Sequence, residues 1–279
     1  MLTPDQKQQF DQDGFLVLEN AFAAGELEKV RKAALAIVDE FDIDRHRTVF
    51  KTTDRDAGRD DYFFDSAEAV HCFLEEGALG ADGELIRPKE LAINKMGHAM
   101  HDLVPEFGDF CRLPLIGQVL RDLGYSHPTL WQTMYIFKQP GIGGEVRWHQ
   151  DASYLITSPP NVIGMWIAME DATRDNGCLW MIPGQHRSPL REIFRVDWES
   201  RTGTLTTLDE TPWQIGTDPV AMEVPAGSAV LFHDHMPHYS SQNTSDKSRH
   251  ALTLHLSDRA DSWLAENWLQ RPGLGHFLL

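Results

Sequence analysis

The chain has 279 residues, 42% hydrophobic and 10% aromatic, which is enough apolar material for a sizeable core and too much for a disordered chain. Forty-two Asp and Glu against 25 Lys and Arg leave a net charge of −17, so neither a nucleic acid nor an anionic membrane surface is an expected partner. No stretch reaches the roughly 18 apolar residues of a membrane-spanning helix, and the start of the chain lacks a secretory signal pattern. Cys72, Cys111 and Cys178 are widely spaced and suggest no disulfide framework, so a cytoplasmic protein with reduced thiols is expected.

Thr3-Pro4-Asp5-Gln6 predicts a capped helix with proline in its first turn, followed by a short strand over Gly14–Leu18. Ala24–Phe41 places Leu27, Val30, Ala34, Ile37, Val38 and Phe41 at helical intervals. Thr52–Asp65 and Gly77–Pro88 read as loops; Ser66–Glu76, Lys95–Leu103 and Leu113–Leu123 read as short helices. From Thr129 the texture changes to short β-prone runs: Gln132–Lys138, Val162–Met169, Cys178–Ile182, Ala221–Val224, Ala229–Phe232 and Ala251–Leu256. Asp175-Asn176-Gly177 predicts a hairpin turn. The expected organisation is one domain over 1–279, mainly β with flanking helices. Its helical part covers about 1–125, and its sandwich or barrel core about 129–258.

Three segments carry chemistry. In Trp148-His149-Gln150-Asp151, strand alternation turns His149 and Asp151 to one face and Gln150 to the other, so an imidazole and a carboxylate could grip one metal ion. This is the sequence's single H-x-D. His233, His235 and His238 crowd behind the apolar run Gly227–Phe232, and any of them could complete a two-His, one-carboxylate triad. That set binds iron in non-haem Fe(II) oxygenases and leaves coordination positions open. Arg249 stands eleven positions past His238, at the start of an apolar strand, where its rigid fork suits a carboxylate. His98 and His101, three apart, read as structural or pocket-lining. His186 reads as loop, and Gly141-Ile142-Gly143-Gly144 as a turn without the Lys-Ser/Thr of a phosphate loop. Neither G-x-S-x-G nor H-E-x-x-H occurs.

Longer runs add to these: Gly14–Val17, Asn94–Ala99, Met134–Pro140, Trp148–Ser153, Glu170–Ala172, Asn176–Trp180, Ile182–Gly184, Gln242-Asn243, Ser245-Asp246 and Glu266–Leu269. Through them the chain resembles, over most of its length, the phytanoyl-CoA dioxygenase family of Fe(II)/2-oxoglutarate oxygenases. The resemblance implies a double-stranded β-helix, a cupin-like jelly roll. It implies Fe(II), the cosubstrate 2-oxoglutarate and O2, with His149, Asp151 and His238 as iron ligands and Arg249 on the far carboxylate of 2-oxoglutarate. Lys95, Met134, Gln150, Trp166 and Ser240 would line the cosubstrate, although a regular strand points Gln150 away from the metal. Related halogenases carry a small residue in place of the carboxylate, so Asp151 implies hydroxylation of a small organic substrate with release of succinate and CO2. The rival readings are a cupin-like metal isomerase or hydrolase without the cosubstrate, and a silent binding module; a buried Arg249 argues against the first. Without a Lys/Arg cluster beside the proposed mouth, polyanionic acyl-CoA is disfavoured as substrate. Asp54–Asp65 and Glu75–Pro88 are the expected lid or substrate-selecting loops.

Overall fold

The computed structural model describes residues 1–50, 60–213, 219–258 and 262–279. Helix α1 (Pro4–Asp13) begins as its sequence dictates: the Thr3 hydroxyl accepts the Gln6 N–H, and the Gln6 side chain accepts the Thr3 N–H. It ends at Gly14, whose φ of 81° is left-handed and whose missing Cβ would strike His186. Strand β1 (Phe15–Leu18) follows, then helix α2 (Ala24–Glu40), which buries Leu27, Val30, Ala34 and Val38.

Two of the three short helices expected next contain strands. Ser66–Glu76 is a single 3-10 turn followed by β2 (Val70–Leu74), behind the short helix α3 (Asp61–Asp65). Lys95–Leu103 begins inside β3 (Ile93–His98) and turns helical only in α4 (Met100–Leu103). The reason is burial: β3 is covered on both faces, so the alternation that marks a half-buried strand is missing from its sequence. Met96, Met100 and Leu103 meanwhile imitate a helical spacing. Helices α5 (Pro105–Cys111) and α6 (Pro114–Asp122) complete this part, the latter where Leu113–Leu123 predicts it.

The remaining strands are β4 (Pro128–Ile136), β5 (Val146–His149), β6 (Thr157–Ser158), β7 (Ile163–Ala168), β8 (Leu179–Met181), β9 (Glu192–Asp197) and β10 (Thr202–Thr207). After them come β11 (Val220–Met222), β12 (Ala229–His233), β13 (His238–Ser240), β14 (Ala251–Asp258), β15 (Ser262–Trp263) and β16 (Phe277–Leu278). The major sheet runs β1-β12-β7-β14-β4-β3-β2, with β16 against the end of β4; the minor sheet runs β11-β8-β13-β5. Every pairing within both sheets is antiparallel, and together they form the jelly roll. The region before residue 125 thus contributes three strands to the major sheet as well as helices. Asp175-Asn176-Gly177 is a turn, but it joins β7 of the major sheet to β8 of the minor one instead of closing a hairpin. Asn176 closes it by accepting the Thr173 N–H and donating to the Asp171 carbonyl.

Alternation divides the major sheet into two faces. Leu252, Leu254 and Leu256 of β14 pack with Met165 and Ile167 of β7 and with Val30, Phe107 and Leu120 from the helices. Each such buried side chain stabilises by about 1.5–3 kcal/mol. On the other face, Trp166, Val230 and Phe232 meet Leu179, Met181 and Met222 of the minor sheet. A third cluster around Phe63, Phe73, Trp131, Leu155, Phe194 and Trp268 closes one end of the roll. A one-residue slip of β14 would turn Thr253 and His255 into the helix-side core, so the register is fixed by burial. All three cysteines are free and buried, and among the described residues no helix is long and apolar enough to cross a membrane.

Candidate active site

Strand β5 ends at His149 and the next turn opens at Asp151, with Gln150 between them still extended at φ −116° and ψ 136°. The side chains of His149 and Asp151 therefore stay on one face. Across the minor sheet, His238 at the start of β13 pairs in register with His149. Ligand atoms of His149, Asp151 and His238 all lie within 4.8 Å of one another. His149 Nε2 is 3.8 Å and His238 Nε2 3.7 Å from the same carboxylate oxygen, Asp151 Oδ1. Of the three candidate histidines, His238 joins this cluster; His233 turns its Nδ1 to Asp234.

The outer atoms are committed elsewhere. His149 Nδ1 donates to the Arg147 carbonyl at 2.8 Å and His238 Nδ1 to the Met236 carbonyl at 3.0 Å. Each Nε2 lone pair is thereby left for a metal. Asp151 Oδ2 is held by His255 Nε2 at 2.9 Å, while His255 Nδ1 accepts from Gln132 at 2.9 Å, which fixes the proton on Nε2. Burial, with His238 alongside, pulls His149 down to about 3, so its ring is neutral and able to coordinate. Burial alone would raise the Asp151 carboxyl; His255, His238 and His149 outweigh it and hold the group below its ordinary value, as a carboxylate. Two imidazole nitrogens and one carboxylate oxygen, gathered at one end of a cavity-facing strand pair, suit a divalent transition metal such as iron.

The triad opens on a cavity of about 220 Å³, which Lys95, Met134, Trp166, Ser240 and Arg249 all line. Gln150 does not. Its amide donates to the Pro189 and His235 carbonyls and accepts the Arg191 N–H, on the far side of the strand, as regular alternation requires. Residues 75–88, expected as a lid or substrate-selecting loop, do not line the cavity either, although Glu75 accepts the N–H of the lining residue Gly144. Of the other expected lid, residues 54–59 lie outside the described residues, and Phe63 in α3 reaches the cavity.

Arg249 is only 2% exposed. Its Nε donates to the Gly177 carbonyl at 3.1 Å and its Nη2 meets Ser240 Oγ at 3.5 Å, whereas the buried Nη1 has no partner. Trp166 lies under the guanidinium, 5.3 Å from ring centre to Cζ. Burial lowers this arginine to about 10, so it remains charged at neutral pH. Gly177 must be glycine: its φ is 83°, and a Cβ would come within 2.6 Å of both the Lys138 side chain and the Ser241 carbonyl.

Two residues of the site escape the sequence reading. His255 follows Arg249 at even spacing through Ala251 and Thr253, and Lys138 follows Gln132, Met134 and Ile136 in the same way. Strand parity was the signal for both. The Lys138 ammonium is buried beside Arg249 and donates to the Gly144 carbonyl, while Glu75 Oε1 accepts the Gly144 N–H at 2.8 Å. Burial lowers Lys138 to about 7.

A jelly roll that turns His-x-Asp and a distal histidine onto one point defines a metal-dependent enzyme of the double-stranded β-helix class. The sequence model of the phytanoyl-CoA dioxygenase (PhyH) family matches residues 10–251, and the chain belongs to that family of Fe(II)/2-oxoglutarate-type oxygenases. It is 42% identical to a phytanoyl-CoA dioxygenase of Arabidopsis thaliana, covering 97% of this chain and 94% of the relative. It is also 42% identical to phytanoyl-CoA dioxygenase domain-containing protein 1 of Mus musculus, over 96% and 95% of the two chains. Among solved structures, EctD from S. alaskensis, crystallised with 2-oxoglutarate and 5-hydroxyectoine, superposes with a TM-score of 0.67 at 19% identity, over 98% of this chain and 83% of that one. The epimerase SnoN, in complex with Fe3+, alpha ketoglutarate and nogalamycin RO, gives 0.67 at 15% identity, over 99% and 92%. At those identities the likeness shows the fold.

Proposed function

We propose that this protein is an Fe(II)- and 2-oxoglutarate-dependent hydroxylase of a small organic molecule. The observation that carries the reading is one cavity holding both three inward-facing ligand atoms and a buried guanidinium whose Nη1 is unpaired. A buried arginine without a carboxylate is costly, and a dicarboxylic cosubstrate supplies the missing partner. When bound, Fe(II) with 2-oxoglutarate and O2 supplies the oxidation that converts the keto acid to succinate and CO2 and places one oxygen atom in a substrate C–H bond.

The chain's own residues position and exclude. His149, Asp151 and His238 hold the metal, with their rings fixed by the Arg147 and Met236 carbonyls and the carboxylate steadied by His255. Arg249, held by Gly177 and Ser240, orients the far carboxylate of the cosubstrate. Trp166, Leu179 and Phe232 keep water from this end of the cavity. Asp151 fills the position that a halide would need, which favours hydroxylation over halogenation. Purified protein supplied with Fe(II), 2-oxoglutarate and 18O2 should release labelled succinate slowly without added substrate. Release no greater than in a metal-free control contradicts the reading.

A further inference from the structure

The cavity has a second end, chemically unlike the first. Phe50, Phe63, Tyr154, Leu155, Leu205 and Trp268 line it, and they belong to a packing cluster separate from the one around Trp166. Arg249 and His255 are six positions apart in sequence, and His255 touches Asp151 of the triad. Leu155 and Tyr154 lie just beyond that carboxylate in sequence. The guanidinium and the aromatic group are thus carried on different stretches of chain.

A histidine ring reaches the aromatic end. His98 lines the cavity edge-on to Trp268, with ring centres 4.9 Å apart, and Trp268 in turn leans on Phe63 at 4.5 Å. Its tautomer follows from its neighbour. The Ser66 hydroxyl has one proton and gives it to the Phe63 carbonyl, so Ser66 Oγ accepts from His98 Nδ1 at 2.8 Å. His98 Nε2 is thereby an acceptor. Burial holds the imidazole well below its ordinary value, and the nearby Lys95 and His255 act in the same direction, so the ring stays neutral. The cations near this end are already engaged: Arg147 makes a two-pronged pair with Glu192, Arg201 bonds Asp61 and Asp65, and the Lys95 ammonium lies 3.5 Å from the centre of the Phe50 ring.

We propose that the substrate is a compact, ring-sized apolar molecule with one N–H or O–H group, stacked among Phe63, Trp268 and Leu155 and hydrogen-bonded to His98 Nε2. A CoA thioester does not match, because the cations that line this end among the described residues are already engaged, Arg147 by Glu192 and Lys95 over the Phe50 ring. The inference rests on the hydroxylase reading for what happens to the bound molecule, but not for the binding itself. His98 is thus assigned as a specificity-determining residue that touches substrate.

The test is calorimetric titration of the full-length protein, with and without Fe(II) and 2-oxoglutarate under anaerobic conditions. The probes are indole and benzofuran, nearly isosteric rings of which only indole donates a hydrogen bond. Indole should bind about tenfold more tightly than benzofuran, the scale of one net hydrogen bond. His98→Leu should abolish that preference and His98→Gln, which keeps an acceptor, should retain it; Trp268→Leu should weaken both probes. Equal affinities in the wild type, binding of neither probe at millimolar concentration, or a preference that survives His98→Leu overturns the proposal. Succinate release without substrate does not involve this chamber. Its presence alongside equal probe affinities sinks this inference alone, and its absence sinks the hydroxylase reading.

Discussion

The two ends of the cavity are built differently. The cationic end is made on paired strands: Arg249 leads into β14, Ser240 closes β13, Met134 sits in β4 and Trp166 in β7, each held by a ladder of backbone hydrogen bonds. The aromatic end is gathered from scattered segments: Phe50 between α2 and α3, Phe63 in a five-residue helix, Leu205 on the β9–β10 hairpin, and Trp268 in the C-terminal run. Asn267, next to Trp268, fastens that run by bonding both the N–H and the carbonyl of Ile156. Fixed strand register suits a cosubstrate of constant shape, and loops and termini can be rebuilt for a different substrate without disturbing it.

Substitutions can break this division. The largest effect is expected at the triad, where His149→Ala or Asp151→Ala should abolish stoichiometric Fe(II) or Mn(II) binding, measured by metal analysis after dialysis. Retained metal would place the centre elsewhere. Next, Arg249→Met should weaken 2-oxoglutarate by about 2–5 kcal/mol, the range for losing one partner of a buried charge pair. The same change removes a buried guanidinium nitrogen that has no partner, so the unliganded variant should melt no lower than the wild type. Unchanged 2-oxoglutarate affinity would defeat the role of Arg249, and neither substitution should alter indole binding without metal at the aromatic end.

The smallest effect is a pH dependence confined to the cationic end. Lys138, faced by Arg249, Glu75, Glu145 and Cys178, sits near 7 because its burial penalises the charge. Below that pH the ammonium adds to the positive field that receives a dicarboxylate; above it the field weakens. Affinity for 2-oxoglutarate should therefore fall a few-fold as pH rises through 7, and binding near pH 7–8 should take up protons. Lys138→Met should flatten the profile. For stability the sign is opposite. The folded value lies below the unfolded 10.5, so the unfolded chain binds more protons between them and the native state gains stability as pH rises across that window.

The sequence reveals these regions unequally, and strand parity explains why. His149, Asp151 and the outward Gln150 are legible because a strand alternates, and the same rule carried onward from Arg249 reaches His255. It does not choose among His233, His235 and His238, whose order depends on how the chain turns between β12 and β13. The run Lys95–Leu103 reads as helix because β3 is covered on both faces, which conceals the strand that carries Lys95 and His98. The aromatic end is the least legible. Phe50, Phe63 and Trp268 are ordinary apolar residues in sequence, and only the closure of the roll brings them to one wall.

A crystal structure of the protein loaded with Mn(II) and 2-oxoglutarate tests the central claim most directly. One metal ion should be bound by His149 Nε2, Asp151 Oδ1 and His238 Nε2, with the far carboxylate of 2-oxoglutarate on Arg249 Nη1. A metal held by other side chains, or an Arg249 still without a carboxylate when the cosubstrate is bound, would contradict it.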